Sequence, residues 1–259
     1  MGTALVTGAG HRIGRAMAVY LAQRGYDVGV HYASSDRGAR ETVTMIEKLG
    51  RRAIAIQADL LEDAQTEALF AQTLEALGGP VTCLINNASI FEYDTVESAT
   101  RETWDRHMQS NLRAPFLLTQ AMAAQGLEPT TDAAGEPRAA ALIVNMVDQR
   151  VRKLTPEFMT YTLAKMGLWA MTRTTAQALA PAIRVNGIGP GPTLQGGRQS
   201  SDHFAQQRAN TTLERGSNPE DMTAALGYFL DAPAVTGQLL CVDGGQHLAW
   251  QTPDVLGVE

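Results

Sequence analysis

The chain has 259 residues, of which 44% are apolar and 19% charged, and a formal charge of −6. It contains no long run of Lys or Arg, which excludes the clustered positive charge that nucleic-acid binding requires. No apolar stretch approaches the roughly 20 residues that span a bilayer, and the first residues show no signal-peptide pattern, so we expect a cytoplasmic protein without a membrane partner.

Short apolar runs alternate with segments of helical periodicity. Strands are predicted at residues 3–7, 28–32, 53–57, 82–85, 140–145, 183–188 and 239–242. Helices are predicted at residues 13–24, 39–49, 64–77, 102–124 and 160–179. Apolar strands joined by amphipathic helices are typical of a parallel sheet covered on both faces. Right-handed crossovers then predict an α/β fold, a single doubly wound Rossmann domain over residues 1–259 with about seven parallel strands.

Two polar segments interrupt this alternation. Residues 126–138 are rich in Gly, Pro, Thr and Asp and predict a surface loop. Residues 189–215 open with Gly-Pro-Gly-Pro and include one short possible helix. A segment of that length is usually functional or disordered, and this one follows a strand at the edge of the sheet where ligands bind. We predict a substrate lid, with a passive insertion as the alternative.

A glycine-rich turn joins the first strand to the first helix, with the sequence Thr-Gly-Ala-Gly-His-Arg-Ile-Gly at residues 7–14. Glycines let backbone amides approach a pyrophosphate, and the helix N-terminus favours negative charge. Glycine alone is a weak signal, because any tight turn favours it, but this turn opens the first βαβ unit. We predict a dinucleotide site that includes Gly8, His11, Arg12 and Ile13.

The end of the second strand indicates which dinucleotide binds. NAD-specific sites place Asp or Glu there, whereas this chain has Tyr32. Without a carboxylate nothing repels a 2′-phosphate, so NADPH is the predicted cofactor and Tyr32 part of its site. The candidate donors to the phosphate are Arg12, His31, Ser34, Ser35 and Arg37. The alternative is that these are solvated turn residues, which for Arg37 is at least as good an interpretation.

Further motifs follow in a fixed order: Ala-Asp-Leu at 58–60, Asn-Asn-Ala-Ser at 86–89, Asn111, Tyr-x-x-x-Lys at 161–165, Pro-Gly at 190–191 and Val-Asp-Gly-Gly at 242–245. Their order and spacing resemble the short-chain dehydrogenase/reductase superfamily over nearly the whole chain. The resemblance implies a catalytic set of Asn111, Asp148, Tyr161 and Lys165. It also implies cofactor contacts from Asp59, Leu60, Asn87, Ala88, Ser89, Tyr161, Lys165, Pro190 and Gly191.

The Tyr-x-x-x-Lys spacing has a physical reason, because residues four apart lie on one helix face. The ammonium of Lys165 is therefore expected near the phenol of Tyr161, where it would favour the ionised form. An opposite charge within about 4–6 Å lowers the pKa of an acid by roughly 1–3 units. We expect Tyr161 to exchange a proton while hydride moves at the nicotinamide, with Lys165 positioning the cofactor ribose.

Asp148 is the first of three departures from the superfamily pattern. It stands thirteen residues before Tyr161, where most members have Ser. An ionised carboxylate cannot donate a hydrogen bond to a carbonyl, and it repels an oxyanion. It suits a C=N bond whose nitrogen gains a proton, and a protonated Asp148 could relay that proton. The alternative is that Asp148 only caps a turn.

The other departures are similar to the pteridine reductase subgroup. Arg12 stands where the superfamily usually has Gly, and in that subgroup it reaches the cofactor phosphates and the edge of the substrate. Ser89 and Phe91 match substrate-contacting positions of the subgroup. An aromatic ring at Phe91 could stack a flat heteroaromatic substrate against the nicotinamide, although ordinary packing is the alternative. The expected substrate contacts are Arg12, Ser89, Phe91, Asp148 and Tyr161.

Three functional hypotheses follow. The leading one is an NADPH-dependent reductase of pterin-type C=N bonds, with no metal. The second is an NADPH-dependent reductase of ketones, including steroid-like ones, in which Asp148 is structural. The third is an NADPH-sensing regulator without turnover, which the presence of both Tyr161 and Lys165 disfavours. Apolar residues such as Trp169 and Met171 on the helices, together with the resemblance, predict a homo-oligomer, expected to be a tetramer.

Overall fold

A parallel sheet forms the centre of the computed structural model, which describes residues 2–197 and 199–250. The strands in chain order are β1 Thr3–Val6, β2 Asp27–Tyr32, β3 Ala53–Gln57, β4 Val81–Asn86, β5 Thr130–Thr131, β6 Pro137–Arg138, β7 Ala141–Met146, β8 Ile183–Pro190 and β9 Leu239–Val242. Seven of them form one sheet in the order β3-β2-β1-β4-β7-β8-β9, and each neighbouring pair is parallel. The predicted α/β doubly wound fold is confirmed.

The strand order places a ligand crevice between β1 and β4. The chain runs outward from β1 to β3 on one side and from β4 to β9 on the other. Connections therefore leave the carboxyl ends of β1 and β4 in opposite directions, which opens a crevice between them. β5 and β6 form a separate antiparallel hairpin, inside the segment that the sequence predicted as a surface loop.

Helices cover both faces of the sheet. They are α1 Arg12–Gln23, α2 Asp36–Glu47, α3 Asp63–Leu77, α4 Arg101–Met108, α5 Ala114–Ala123, α6 Met159–Ala178, α7 Ser201–Ala209 and α8 Pro219–Asp231. Buried side chains of α1, α2 and α8 form one apolar core, and those of α3, α5 and α6 form the other. Among the described residues, no helix combines the length and the apolar character that crossing a bilayer would need.

The helix predicted over residues 102–124 is interrupted. A π-helical turn, Gln109–Arg113, separates α4 from α5. Pro115 explains the interruption. It has no N–H to donate to the carbonyl oxygen four residues earlier, and its ring clashes with that carbonyl in a regular α-helix. The turn carries Asn111, and π-turns are frequent at functional sites.

Helix α8 is absent from the sequence-based prediction. Asn218 and Asp221 form a capping box at its start, with Pro219 in the first turn. Its buried residues Met222, Ala225, Leu226 and Phe229 follow the i, i+3, i+4, i+7 spacing of a core-facing helix. Both signals are present in the sequence, and the parallel pairing of β8 with β9 requires a crossover of this kind.

The 189–215 segment contains the end of β8 and helix α7, so the one short helix expected there exists. Arg208 of α7 links the two ends of the segment. Its guanidinium donates to the carbonyl oxygens of Pro192 at 2.9 Å and Ser217 at 2.6 Å. Thr193 and Ser217, both buried, share a further hydrogen bond of 2.6 Å between their hydroxyls.

Candidate active site

A cleft of about 300 Å³ lies at the carboxyl ends of β1 and β2. It is lined by Gly8, Gly10, His11, Arg12, Ile13, Gly14, His31, Tyr32, Ala33, Ser34, Ser35, Asn87, Ala88 and Ser89. Most of the cofactor contacts expected from the sequence therefore meet here, although they come from three separate strand ends. Asp59, Leu60, Pro190 and Gly191 are not among the residues that line this cleft.

The glycine turn has the geometry of a phosphate cradle. Gly8 has a φ of +63°, and a Cβ on Gly14 would lie 2.2 Å from the Gly8 carbonyl oxygen. Both positions therefore require glycine. No side chain caps α1, so its first N–H groups are left for water or a ligand anion. These features fit the diphosphate of a dinucleotide.

His31 accepts a hydrogen bond from the backbone of this turn. This contact corrects the predicted role of His31 as a phosphate donor. The ring is buried; Nδ1 accepts from the Gly8 N–H at 3.0 Å, and Nε2 lies 3.0 Å from the Ala58 carbonyl oxygen. Because Nδ1 accepts, Nε2 carries the proton and donates. Burial lowers the pKa of His31 to about 4. The neutral ring thus has both nitrogens occupied by backbone.

Arg12 faces the 189–215 segment. Its guanidinium donates to the carbonyl oxygens of Gln195 at 2.7 Å and Leu194 at 2.9 Å. Arg12 also has a φ of +54°, which is uncommon for a residue other than glycine. Two of its five N–H donors thus bridge the glycine turn and this segment, while Arg12 also lines the cleft; its contacts with cofactor phosphate and substrate stay predictions.

The end of β2 corrects the expectation that no carboxylate lies nearby. The Tyr32 hydroxyl donates to Oδ1 of Asp36 at 2.8 Å, and Asp36 forms an ion pair with Arg40 at 2.9 Å. The carboxylate is thus offset by a cation. Arg37 pairs with Glu41 and does not line the cleft. Ser35 occupies the N-cap of α2 without using its side chain as a cap.

Asp148 and Tyr161 form a hydrogen-bonded pair. Asp148 follows β7, Tyr161 lies in the first turn of α6, and the phenol donates to Oδ2 of Asp148 at 2.8 Å. Removal from water raises the pKa of Asp148. Burial, followed by the neighbouring Asp148 carboxylate, holds the pKa of Tyr161 well above its ordinary value. Both groups are thereby biased toward their protonated forms.

Burial and Asp148, rather than Lys165, dominate the pKa of Tyr161, contrary to the expectation from the sequence. Its ammonium donates to the Met146 carbonyl oxygen at 2.7 Å and lies 5.6 Å from the centre of the Tyr161 ring. Burial lowers the pKa of Lys165 itself to about 8. The i, i+4 spacing does bring the two side chains together on one helix face, but the carboxyl of Asp148 is the stronger influence on the phenol.

Asp148 also caps a turn, which was the alternative interpretation of this residue from the sequence. Its Oδ1 accepts from the Arg150 N–H at 2.8 Å, at the start of the short 3₁₀ turn Gln149–Val151. One oxygen thus serves the backbone while the other binds Tyr161. The two interpretations of Asp148 are therefore compatible, because a carboxyl group has two oxygens.

Phe91 lies beside this pair. Its ring is 49% exposed, and its centre lies 4.7 Å from that of Tyr161 in an edge-to-face arrangement. Phe158, which the sequence analysis did not identify, stacks on Phe91 at 4.2 Å with an interplanar angle of 7°. Phe158 caps α6 with a φ of +55°. An isolated aromatic before a helix carries no sequence signal of such a contact.

Asn111 holds the loop that carries Phe91, and its place in the catalytic set stays a prediction. Its side-chain Nδ2 donates to the Ile90 carbonyl oxygen at 2.8 Å, and Oδ1 accepts from the Ile90 N–H at 2.9 Å. The side chain is fully buried. Both ends of its amide are used by one backbone unit, next to Ser89 and Phe91.

The remaining expected cofactor contacts lie on neighbouring strand ends. Asp59 accepts a hydrogen bond from the Leu61 N–H, and the Leu60 side chain is buried in the core, so only its backbone could face a ligand. A Cβ on Gly191 would lie 2.5 Å from the Cβ of Asp243. Gly191 is required there because β8 and β9 approach closely at this point.

Comparisons with known proteins identify the family of the chain. A family model described as enoyl-(acyl carrier protein) reductase matches residues 8–247. The chain is similar to the structure of FolM alternative dihydrofolate reductase 1 from Brucella canis complexed with NADP, with 40% identity, a TM-score of 0.90, and coverage of 98% of this chain and 97% of that one.

Two other relatives carry different names. The chain is 32% identical over 255 residues to 3beta-hydroxysteroid dehydrogenase 1 of Eggerthella lenta, covering 95% of this chain and 94% of that protein. The promiscuous reductase LugOII, described as catalysing keto-reduction, is 32% identical with a TM-score of 0.84, over 96% of this chain and 98% of that one. The chain therefore belongs to the short-chain dehydrogenase/reductase superfamily and is an oxidoreductase.

Proposed function

We propose that the protein is an NADPH-dependent reductase of pterin-type C=N bonds. The observation that carries this proposal is the Asp148–Tyr161 pair, in which a buried phenol donates to a carboxyl group at 2.8 Å. Two groups biased toward their protonated forms suit a substrate nitrogen that must gain a proton. The 40% identity to an alternative dihydrofolate reductase supports the same substrate class.

NADP(H) is the cofactor. Structural neighbours at 29–40% identity are complexes with NADP or NADPH. In this chain the glycine turn and the start of α1 would hold the diphosphate, while Ser34 and Ser35 would face the 2′-phosphate. When bound, NADPH supplies the hydride that reduces the carbon of the C=N bond. Lys165 would contact the ribose, and the loop of Asn87, Ala88 and Ser89 the nicotinamide end.

The chain's own residues supply the proton. Tyr161 holds it at the phenol oxygen, within reach of a substrate placed against Phe91. Asp148, in its protonated form, can return a proton to Tyr161 as the phenol releases one, because the two oxygens are already in hydrogen-bond contact. Burial raises the pKa of both groups, which favours the protonated form of each.

Phe91 would recognise the flat substrate ring. It lies next to Tyr161 with half of its surface accessible, and aromatic rings prefer offset-stacked contacts. Phe158 covers one of its faces in this structure. A substrate would therefore use the other face of Phe91 or displace Phe158.

Ketone reduction is the second candidate. It is supported by the relatives named for steroid and keto-group chemistry, and by the turn that Asp148 caps. In this candidate Asp148 is structural and holds the turn.

A substrate panel distinguishes the two candidates. Oxidation of NADPH is followed by the loss of its absorbance, with dihydrobiopterin, dihydrofolate and several aromatic and steroid ketones as substrates. Turnover of the dihydropterins with little ketone reduction supports the proposal. Turnover of ketones alone selects the second candidate.

We further propose that residues 1–259 act as one domain, that the 189–215 segment is a substrate lid, and that the protein is a cytoplasmic homo-oligomer. Trp169 and Met171 pack largely within the chain, so they do not carry the oligomer argument. Exposed apolar residues of α4, α5 and α6 support it better: Trp104, Phe116, Leu163 and Met166. The masses obtained by light scattering at several concentrations test this assembly.

A further inference from the structure

A chain of hydrogen bonds runs beneath the candidate site. His107 of α4 is fully buried. Its Nε2 accepts from the Glu92 N–H at 3.1 Å, and its Nδ1 lies 2.7 Å from the Thr160 hydroxyl. Thr160 donates through its hydroxyl to Asp94 Oδ2 and through its N–H to Oδ1 at 3.1 Å.

The direction of each bond is fixed. Because Nε2 of His107 accepts from a backbone N–H, the ring proton must lie on Nδ1 and be donated to Thr160. The Thr160 hydroxyl is then free to donate to Asp94. The ring is neutral, since burial lowers the pKa of His107.

The chain joins two elements that the reaction needs. Glu92 follows Phe91 directly, and Thr160 precedes Tyr161. His107 also contacts the Tyr161 ring edge-to-face at 5.9 Å. Asp94 is buried, and its carbonyl oxygen accepts from the Met159 N–H at 3.3 Å. The loop of Phe91 and the start of α6 are thus held through one histidine.

We propose that His107 is a positioning residue that sets Phe91 and Tyr161 relative to each other through Glu92 and Thr160. The proposal rests on the proposed function in one respect, because it takes Phe91 as a substrate contact. Loss of the Glu92 bond should loosen substrate binding, whereas loss of the Thr160 bond should misplace the phenol.

Two variants separate the arms of the chain. In His107→Asn the amide nitrogen can still donate to Thr160, but the acceptor for Glu92 is lost. In His107→Gln the amide oxygen can still accept from Glu92, but the donor to Thr160 is lost. Removing a partner from a buried polar group has effects on the scale of about tenfold in an equilibrium constant.

We expect His107→Asn to raise the KM for dihydrobiopterin about tenfold with kcat nearly unchanged. His107→Gln should lower kcat about tenfold with KM nearly unchanged, and both should keep the KM for NADPH. Arg106→Gln is the matched control. It breaks the ion pair of Arg106 with Glu92, 3.0 Å long, between the same two elements, and should change neither constant by more than about twofold.

The pH dependence of kcat/KM is a second measurement, and it would not change if His107 had only a structural role. The charged groups around His107 are Asp94, Glu92 and Arg106, and Tyr161 and Thr160 also face its ring. As pH falls through the lowered pKa of His107, Nε2 becomes protonated and can no longer accept from Glu92. The unmodified enzyme should therefore lose kcat/KM on the acid side, and both amide variants should lack this fall.

Equal changes in kcat and KM in the two variants, or an acid-side fall that persists in both, would overturn the proposal. If a His107 variant does not fold, Thr160→Ser and Thr160→Val test the Thr160 arm by itself, because only Ser keeps the hydroxyl link; kcat should fall about tenfold in Val alone, and equal rates in the two would overturn this arm of the proposal. If the unmodified enzyme does not reduce dihydrobiopterin, the proposed function has failed. The same variants are then compared on the ketone that it does reduce.

Discussion

The phenol of Tyr161 lies 2.8 Å from Oδ2 of Asp148 and donates to it, while Oδ1 of the same carboxyl accepts from the Arg150 backbone. This relationship couples the two groups: burial raises the pKa of both, the Asp148 carboxylate raises the pKa of Tyr161 further, and the hydrogen bond from Tyr161 lowers the pKa of Asp148. The candidate proton donor is therefore a pair rather than a single residue. Its properties can be tested one group at a time.

The phenol is the proposed immediate proton donor. Tyr161→Phe keeps the ring and its contact with Phe91 but removes the acid. Turnover should fall by roughly 10²–10⁴ while the Kd for NADPH, measured by fluorescence quenching, is kept. A variant that retains nearly the original rate would show that another group donates.

Asp148→Asn removes the titrating proton of the second group while keeping its shape. Because the pKa of Asp148 is raised, its protonated form persists to higher pH, and activity should decline as pH rises through that value. The variant should lose this alkaline limb and turn over dihydrobiopterin roughly 10²-fold more slowly.

Asp148→Ser is the companion to this variant. It restores the group that most of the superfamily carries, so it should lose dihydropterin reduction and could gain weak ketone reduction. A normal rate and an unchanged pH profile in Asp148→Asn would instead mean that the carboxyl only caps the turn.

Phe91→Ala tests recognition of the flat substrate. Stacking of a base on an aromatic side chain is worth roughly 1–3 kcal/mol, so the KM for dihydrobiopterin should rise about tenfold and that for NADPH should not change. Tyr93→Ala is the matched control, because Tyr93 contacts Phe158 at 5.2 Å in the same aromatic cluster. Equal effects of the two variants would indicate that Phe91 is only part of the packing.

Cofactor preference is expected to depend on the end of β2. Tyr32→Asp would add a carboxylate close to Asp36, which already accepts from the Tyr32 hydroxyl. The ratio of kcat/KM for NADPH to that for NADH should fall, since negative charge repels the 2′-phosphate. Tyr32→Phe removes the same hydroxyl without adding charge and should keep the ratio. Equal efficiency with both cofactors in the unmodified enzyme would contradict the NADPH assignment.

His31 predicts a pH-dependent stability. Its folded pKa of about 4 lies below the ordinary value near 6.5, so the unfolded chain binds more protons between these values. The contribution of His31 is complete above pH 6.5 and falls by up to about 3 kcal/mol as pH drops to about 4.

His31→Asn isolates this contribution. The Asn amide can still accept from the Gly8 N–H but does not titrate. In urea titrations at a series of pH values, the difference in unfolding free energy between the unmodified protein and the variant should shrink toward pH 4. A difference that stays constant with pH would mean that His31 has the same pKa in the folded and the unfolded chain.

The sequence by itself determined the strands and helices that build the sheet, the glycine turn, and the helix face that carries the Tyr-x-x-x-Lys motif. These are local properties: apolar runs, a 3.6-residue period and the need for glycine at Gly8 are set by neighbours in the chain. The same is true of Asp148, whose departure from Ser can be read at one position. Helix α8 was equally local and was missed although its capping box is present.

Only the tertiary structure decided which groups act on one another. His31 binds Gly8, Arg12 binds Leu194 and Gln195, and Phe158 stacks on Phe91, in each case across a separation that no periodicity encodes. The pKa of Tyr161 follows the same rule. Spacing predicted the influence of Lys165 on the same helix, but burial and a carboxyl from another strand end prevail, because desolvation and through-space charge depend on the folded surroundings rather than on sequence distance.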